Sequence, residues 1–337
     1  MSEQLTSVEI CAGAGGQALG LDRAGFHHRA AVEIDDWAVE TLRANHPEWN
    51  IVHQDVLKFD GRPYKGTDLF AGGVPCPPFS IAGKQLGADD ERDLFPRAMK
   101  LVDQIKPKAV LLENVKGLGQ KRFEVYRSSI IEKLEKKKYT VFWEHIQAAN
   151  YGVPQLRPRF ILVALKREYA PYFAFPTPSD HRVTVGEALH DLMAARGWDG
   201  ADDWAHRADK VAPTLVGGSK KHGGADVGPT RAKAAWKAMG VKGTSIAEEA
   251  PGPDFPLDPA IEMPRLTVQM GGVIQGFPDD WKWQGGKTAQ WRQVGNAFPP
   301  PVAEAIGHRI AAALRKEPLP EGVEPAVPAR PLQTLGE

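Results

Sequence analysis

Short apolar runs alternate with helix-periodic stretches through the first 165 residues, and few folds accommodate that pattern. Thr6–Ala12, Ala30–Ile34, Asp68–Ala71, Ala109–Leu112 and Arg159–Leu165 read as buried strands. Between them, Gln17–Ala24, Asp36–Asn45, Asp93–Ile105 and Ser128–Lys137 read as helices. Strands too apolar to show a wet face, alternating with helices, predict a doubly wound, mostly parallel α/β sheet covered on both sides.

The character changes after about Ala170. Glycine and proline rise and long apolar runs disappear, so a smaller and irregular second domain is expected over 171–264. Within it, residues 206–243 carry Arg207, Lys210, Lys220, Lys221, Arg231, Lys233, Lys237 and Lys242 against only Asp209 and Asp226. Two readings stand: a solvated, loop-rich insertion, or a surface that tracks phosphates. Order returns at Arg265–Trp281, and Pro301–Leu314 reads as an amphipathic helix. The expected division is 1–170, 171–264, a return segment 265–316 that completes the first domain, and a disordered, proline-rich tail 317–337.

With 337 residues, 42% hydrophobic and 25% charged, and a formal net charge of zero, the chain is ordinary globular material rather than a wholly basic nucleic-acid binder. It has no apolar run of membrane-spanning length, and MSEQLTSVEI lacks the basic and apolar regions of a signal peptide. Two cysteines, Cys11 and Cys76, exclude a disulfide framework and point to a reducing, cytoplasmic setting.

The candidate chemistry sits at strand ends. Ala12, Gly13 and Gly15 lie in a glycine-rich turn between a strand and a helix, where backbone can approach a ligand closely. Glu33 follows Gly13 by twenty positions at the end of the second strand, a spacing that suits a carboxylate gripping ribose hydroxyls; Asp55 is a third candidate of this kind. A dinucleotide-binding domain explains this much equally well, although Ala18 stands where its third glycine is expected. Cys76 lies among Pro75, Pro77 and Pro78 just beyond a strand, which is no place for a buried small hydrophobe; Cys11, inside an apolar run, reads as one. Glu113 ends another buried strand, and alternation places Arg157 and Arg159 on one face, where two guanidiniums suit an anion or a carboxylate. Glu113 alone, and the two arginines alone, read equally well as solvated surface.

Taken together, the segments resemble the DNA (cytosine-5) methyltransferases. The resemblance runs from Glu9–Gly16 through Val32–Asp35, Pro75-Cys76, Glu113–Val115, Gln155–Arg159 and Arg265–Thr267 with Gln275–Pro278, to Gln293–Ala297 with Pro299-Pro300. Seven segments in family order make it specific. The chain departs from the pattern at Cys11, where the family has Phe beside the adenine, so that adenine packing falls more on Ile34. It departs again at Pro77, and at Met270 and Val273.

The resemblance implies a Rossmann-like methyltransferase fold with a target-recognition domain, and S-adenosylmethionine as cofactor, bound by Ala12, Gly13, Gly15, Glu33, Ile34, Asp55 and Asn296. It implies Cys76 as nucleophile, Glu113 as the residue holding the base, Arg157 and Arg159 as the pair orienting it, and no metal. It implies double-stranded DNA as partner, with Ser80, Lys84 and Gln85 on a loop that closes over a flipped cytosine. Lys220, Lys221 and Arg231 are the DNA-contacting candidates of the basic stretch. A monomer working on nucleoid DNA in the bacterial cytoplasm, paired functionally with a restriction endonuclease, completes the expectation. An RNA cytosine-5 methyltransferase of the same family, a catalytically inactive DNA-binding relative and an NAD oxidoreductase are the rivals. The long basic stretch, the presence of Cys76 and Glu113, and the later motifs speak against them in turn.

Overall fold

A computed structural model describes residues 4–74, 94–115, 121–217 and 224–331. Seven strands form the main sheet: β1 (Leu5–Ile10), β2 (Phe26–Glu33), β3 (Ile51–His53), β4 (Leu69–Gly73), β5 (Ala109–Val115), β6 (Tyr139–Gln147) and β8 (Pro158–Lys166), in the order β3-β2-β1-β4-β5-β8-β6. Neighbours from β3 to β5 are parallel, and β8 runs antiparallel to both β5 and β6. β6 was not anticipated: YTVFWEHIQ carries a charged pair and follows a helix with no glycine or proline break. Its place at the edge of the sheet, beside β8, is settled by pairing rather than by its own pattern.

Helices α1 (Gly16–Arg23), α2 (Asp36–Asn45), α3 (Phe95–Ile105) and α4 (Glu124–Lys136) fall within a few residues of expectation. α2 matches at both ends because its start is chemically marked: the Asp35 carboxylate accepts the Ala38 N–H at 3.3 Å. One apolar layer places β1, β4, β5 and β8 against α3 and α4; the opposite layer packs them on α1 and on α10 (Pro300–Leu314), whose prolines stand at its first turn. Since strand order reverses between β1 and β4, the crevice of the sheet opens where Ile10 and Gly73 end.

The stretch after Ala170 is largely without regular structure but carries three short helices, α5 (Val185–Ala194), α6 (Ala201–Arg207) and α7 (Thr230–Ala238), α5 with a Thr184–Glu187 capping box. It also shares a core with the rest of the chain. One buried cluster contains Trp198, Trp204 and Trp236 together with Ala14, Leu42 and residues of α8 (Val268–Ile274) and α9 (Lys287–Asn296). Trp side chains spaced many residues apart carry no short-range periodicity, which is why this core escaped the sequence. The tail is likewise held in part. Up to residue 331 it runs without regular structure, yet Ala326 N–H donates to the Phe173 carbonyl and Ala329 N–H to that of Val141, each at 2.8 Å.

Candidate active site

Beyond β1 the chain turns through left-handed backbone at Cys11, Gly13 and Gly15, with φ of 53°, 55° and 91°. For the two glycines this costs nothing; for Cys11 it is uncommon. Cys11 thus stands one residue past the strand and beside the crevice, not within the strand. The Gly13 N–H donates to Glu33 Oε2 at 2.7 Å, and Glu33 Oε1 accepts the N–H groups of Ile34 and Asp35, each at 2.8 Å. The carboxylate is therefore fixed where β2 ends, directly against the glycine turn.

This turn walls a cavity of about 280 Å³. Ala12, Gly13, Glu33 and Asn296 line it, as do Glu9, Gln17 and Arg292, and at its far side Gly73 and Glu113. Gly15, Ile34 and Asp55 do not. Gly15 packs toward Leu42 and Trp281, Ile34 is exposed, and the Asp55 carboxylate accepts the Leu57 N–H at 2.9 Å within its own turn.

Glu9 and Gln17 were not singled out from the sequence. Both are almost wholly buried, and Glu9 Oε2 and both amide atoms of Gln17 find no partner in the protein. Unsatisfied buried polar atoms are rare and costly, and here they belong to residues lining a cavity. Burial, with Glu33 beside it, pushes the Glu9 carboxyl well above the ordinary carboxylate range. A charged residue inside an apolar strand was the sequence signal for Glu9; Gln17 carried none. Burial, aided by Glu33, Glu9 and Asp55, pushes the Cys11 thiol up to about 12.

At the other end of the cavity, the β4–β5 register sets Gly73 opposite Glu113. The Glu113 carboxylate is ion-paired with Arg159 Nε across β5 and β8, both side chains being nearly buried. Asn114 turns to the opposite side and donates its amide to the Val74 carbonyl at 2.7 Å, holding the chain two residues before Cys76. Cys76 itself lies outside the described residues, as do Ser80, Lys84, Gln85, Lys220 and Lys221.

Arg157 does not join Arg159 on Glu113, which corrects the expectation of a paired clamp. It falls in the break between β7 (Gln155–Leu156) and β8, so strand alternation does not carry across it. Its guanidinium donates to the carbonyls of Leu215 at 3.0 Å, Gly295 at 2.8 Å and Ala297 at 2.9 Å. Burial, with Arg159 close by, pulls its pKa well down. A buried guanidinium without a carboxylate would cost several kcal/mol were its donors unmet; these carbonyls meet those of its two terminal nitrogens, and Nε alone finds no partner.

In the basic stretch, Arg231 is exposed on the first turn of α7, and Lys233 is tied to Asp226 at 2.7 Å. Arg207, Lys210, Lys237 and Lys242 are exposed. Among the described residues no group of three or more His, Cys, Asp or Glu is placed to hold a metal ion, and no helix is long and apolar enough to cross a membrane.

A family model described as C-5 cytosine-specific DNA methylase matches residues 5–312. The type II methyltransferase M.NaeI of Lentzea aerocolonigenes is 54% identical over 319 residues, which cover 94% of this chain and 76% of that protein. M.NgoMIV of Neisseria gonorrhoeae, also a type II methyltransferase, is 52% identical over 323 residues, covering 93% and 99%. Among solved structures, a DNMT2 variant from Spodoptera frugiperda superposes with a TM-score of 0.65 at 18% identity, covering 91% of this chain and 99% of that one. The Entamoeba histolytica methyltransferase EhMeth does so with 0.66 at 17% identity, covering 93% and 99%. At such identities these two show the fold.

Proposed function

The chain belongs to the C-5 cytosine-specific DNA methylase family, and from that premise we propose how its own residues carry methyl transfer to carbon 5 of a cytosine in duplex DNA. It is a DNA (cytosine-5) methyltransferase of the type II restriction-modification kind. The observation that carries the residue assignment is that one cavity is lined at once by Glu33 and by Glu113. A group bound against the glycine turn therefore reaches the catalytic carboxylate without crossing solvent.

S-adenosylmethionine fits the donor set of that cavity, and when bound it supplies an electrophilic methyl group. Glu33 and the Gly13 turn would grip its ribose hydroxyls, Asn296 would stand on the opposite wall, and Glu9 and Gln17 would meet its polar, cationic end. Ile34, between Glu33 and Asp35 of this wall, and Asp55, which follows the Gln54 whose N–H donates to the Glu33 carbonyl at 2.9 Å, would close its rim. The base is flipped from the stack at a cost of about a few kcal/mol. The Cys76 thiolate adds to carbon 6, and the electron pair displaced from the 5,6 double bond makes carbon 5 nucleophilic. Glu113, held by Arg159, hydrogen-bonds N3 and the exocyclic amine and offsets the charge that develops there. After methylation the carbon-5 hydrogen leaves as a proton, the S–C6 bond breaks, and the double bond and the thiolate are restored. Arg157 takes no part in these contacts.

Residues 171–264 would read the DNA site, between the catalytic portions 1–170 and 265–316. Ser80, Lys84 and Gln85 would meet DNA from the segment after Cys76. The protein would work as a monomer in the cytoplasm; the type II names of the bacterial relatives support a methylation that shields sites from a restriction endonuclease of matching specificity.

Duplex DNA carrying 5-fluorocytosine tests the whole reading, since fluorine at carbon 5 cannot leave as a proton and the adduct persists. A covalent complex that survives denaturation is expected with DNA and not with tRNA; equal trapping on tRNA, or none on DNA, would sink it.

Glu33→Ala is expected to weaken S-adenosylmethionine binding by about tenfold or more, as for a lost hydrogen bond to a charged group, with little change in the methylation step at saturation. Unchanged affinity by calorimetry would remove Glu33 from the site. Lys220→Ala with Lys221→Ala is expected to weaken binding to all sequences alike and to reduce the salt slope by about one or two. Arg231→Ala is expected to change which site is methylated. Exchanging residues 172–264 for those of another family member should transfer the partner's methylation pattern, as read by bisulfite sequencing; retention of the original pattern would refute this assignment.

A further inference from the structure

Strand β6 ends the main sheet, paired with β8 on one side and, among the described residues, with no strand on the other. Its Tyr139–Trp143 run is aromatic and β-branched, without charge or proline. Such a run on a bare edge pairs readily with another chain. Here the edge is covered. The chain beyond α10 returns across it: the Ala326 N–H donates to the Phe173 carbonyl, and the Ala329 N–H to that of Val141 in the middle of the run, each at 2.8 Å. Ala326 packs on the apolar layer that holds Phe142 and Phe173, and Ala329 on the opposite layer, which holds Val141. The segment therefore wraps the rim of the sheet from one face to the other.

Its sequence suits this task. Val323, Ala326 and Ala329 are partly buried, and the residues between them are exposed. Burial at every third residue is the period of a polyproline II helix, which forms no internal hydrogen bonds and leaves its N–H groups free for a partner. Pro325 and Pro328 stand directly before the two inward alanines and fix φ in the range that form requires. With Pro331 they also remove N–H groups from the outer side, which then offers few donors to a further strand. A segment held by backbone bonds at alanines and by short side chains opens far more readily than the sheet beneath it.

We propose that residues 317–331 form a strap guarding the outer edge of β6, and that this edge, once bare, pairs antiparallel with β6 of a second copy of this chain. Two identical antiparallel strands are related by a two-fold axis, so a single self-complementary register suffices. The register centred on Val141 is self-complementary. It sets Tyr139 opposite Trp143, an aromatic pair of the kind that stabilises adjacent strands. At its ends it brings exposed Lys138 of each copy to exposed Glu144 of the other. The strap occupies the Val141 carbonyl at the centre of that register, so strap and second copy exclude one another.

Hydrogen exchange and sedimentation on the full chain test both halves, and neither needs substrate or cofactor. In the unmodified protein the Ala326 and Ala329 amides should exchange at least about tenfold more slowly than those of Val327 and Arg330. Its mass should not change with concentration. Ala326→Pro with Ala329→Pro removes both N–H donors and keeps the polyproline form. That variant is expected to approach twice the mass at a concentration on the order of 100 μM. Adding Glu144→Lys should weaken this association about fivefold or more, since like charges then meet at both ends. Adding Lys138→Glu as well should restore it. Equal exchange at all four amides, or an unchanged mass in the double-proline variant, overturns the proposal. So does an association that Glu144→Lys leaves as strong, since another surface would then carry it. Should the double variant lose its fold by circular dichroism, Ala329→Pro alone decides.

Discussion

Cys76→Ser is expected to lower methyl transfer by at least about a thousandfold while leaving DNA binding in place, because a hydroxyl is a far weaker nucleophile than a thiolate. Single-turnover transfer and a binding isotherm on the same duplex check the two halves, and residual turnover above about a thousandth of the unmodified rate would defeat the covalent route. Cys11 supplies the control. Its thiol, pushed up to about 12, is protonated at neutral pH, so it is no alternative nucleophile. Cys11→Ser should therefore still be trapped by 5-fluorocytosine DNA, with any loss confined to cofactor affinity. Trapping that follows Cys11 instead of Cys76 would reverse the assignment.

Glu113→Gln is expected to cost about a hundred- to a thousandfold in the rate of transfer, the usual scale for removing one group aimed at developing charge. The substitution keeps the shape and an acceptor for Arg159 but removes the negative charge and the carboxyl group that would share a proton with N3. The nearly buried Arg159 then lacks its counter-charge, so some stability is lost as well. Thermal melting separates the two effects: the rate should fall in protein that remains folded at assay temperature. If folded Glu113→Gln transfers methyl groups within tenfold of the unmodified rate, Glu113 is only the structural partner of Arg159.

Legibility followed the range of the interactions. α2 was legible to its ends because Asp35 caps it locally, and the glycine turn with Glu33 because three of its hydrogen bonds join residues within twenty positions. β6 was not legible, since its mixed sequence becomes a strand by pairing with β8. The same holds for the tail, whose prolines suggest disorder until Ala326 and Ala329 find backbone partners on the sheet domain.

The amino-acid sequence by itself determined the alternating order of strands and helices, the family motifs and their spacing, and the placing of Gly13 just past β1, Glu33 at the end of β2 and Glu113 near the end of β5, because each is a property of neighbours along the chain. Which arginine meets Glu113 was decided only by tertiary structure. Arg157 and Arg159 are chemically identical and two positions apart, yet one pairs with a carboxylate across β5 while the other is spent on Leu215, Gly295 and Ala297. The same is true of Glu9 and Gln17, whose missing partners become visible only when burial is known, and of α9, whose Trp291 indole N–H finds the Asp226 carbonyl 65 residues away. Contacts at such separations depend on how whole layers pack, and no local pattern of residues records that packing.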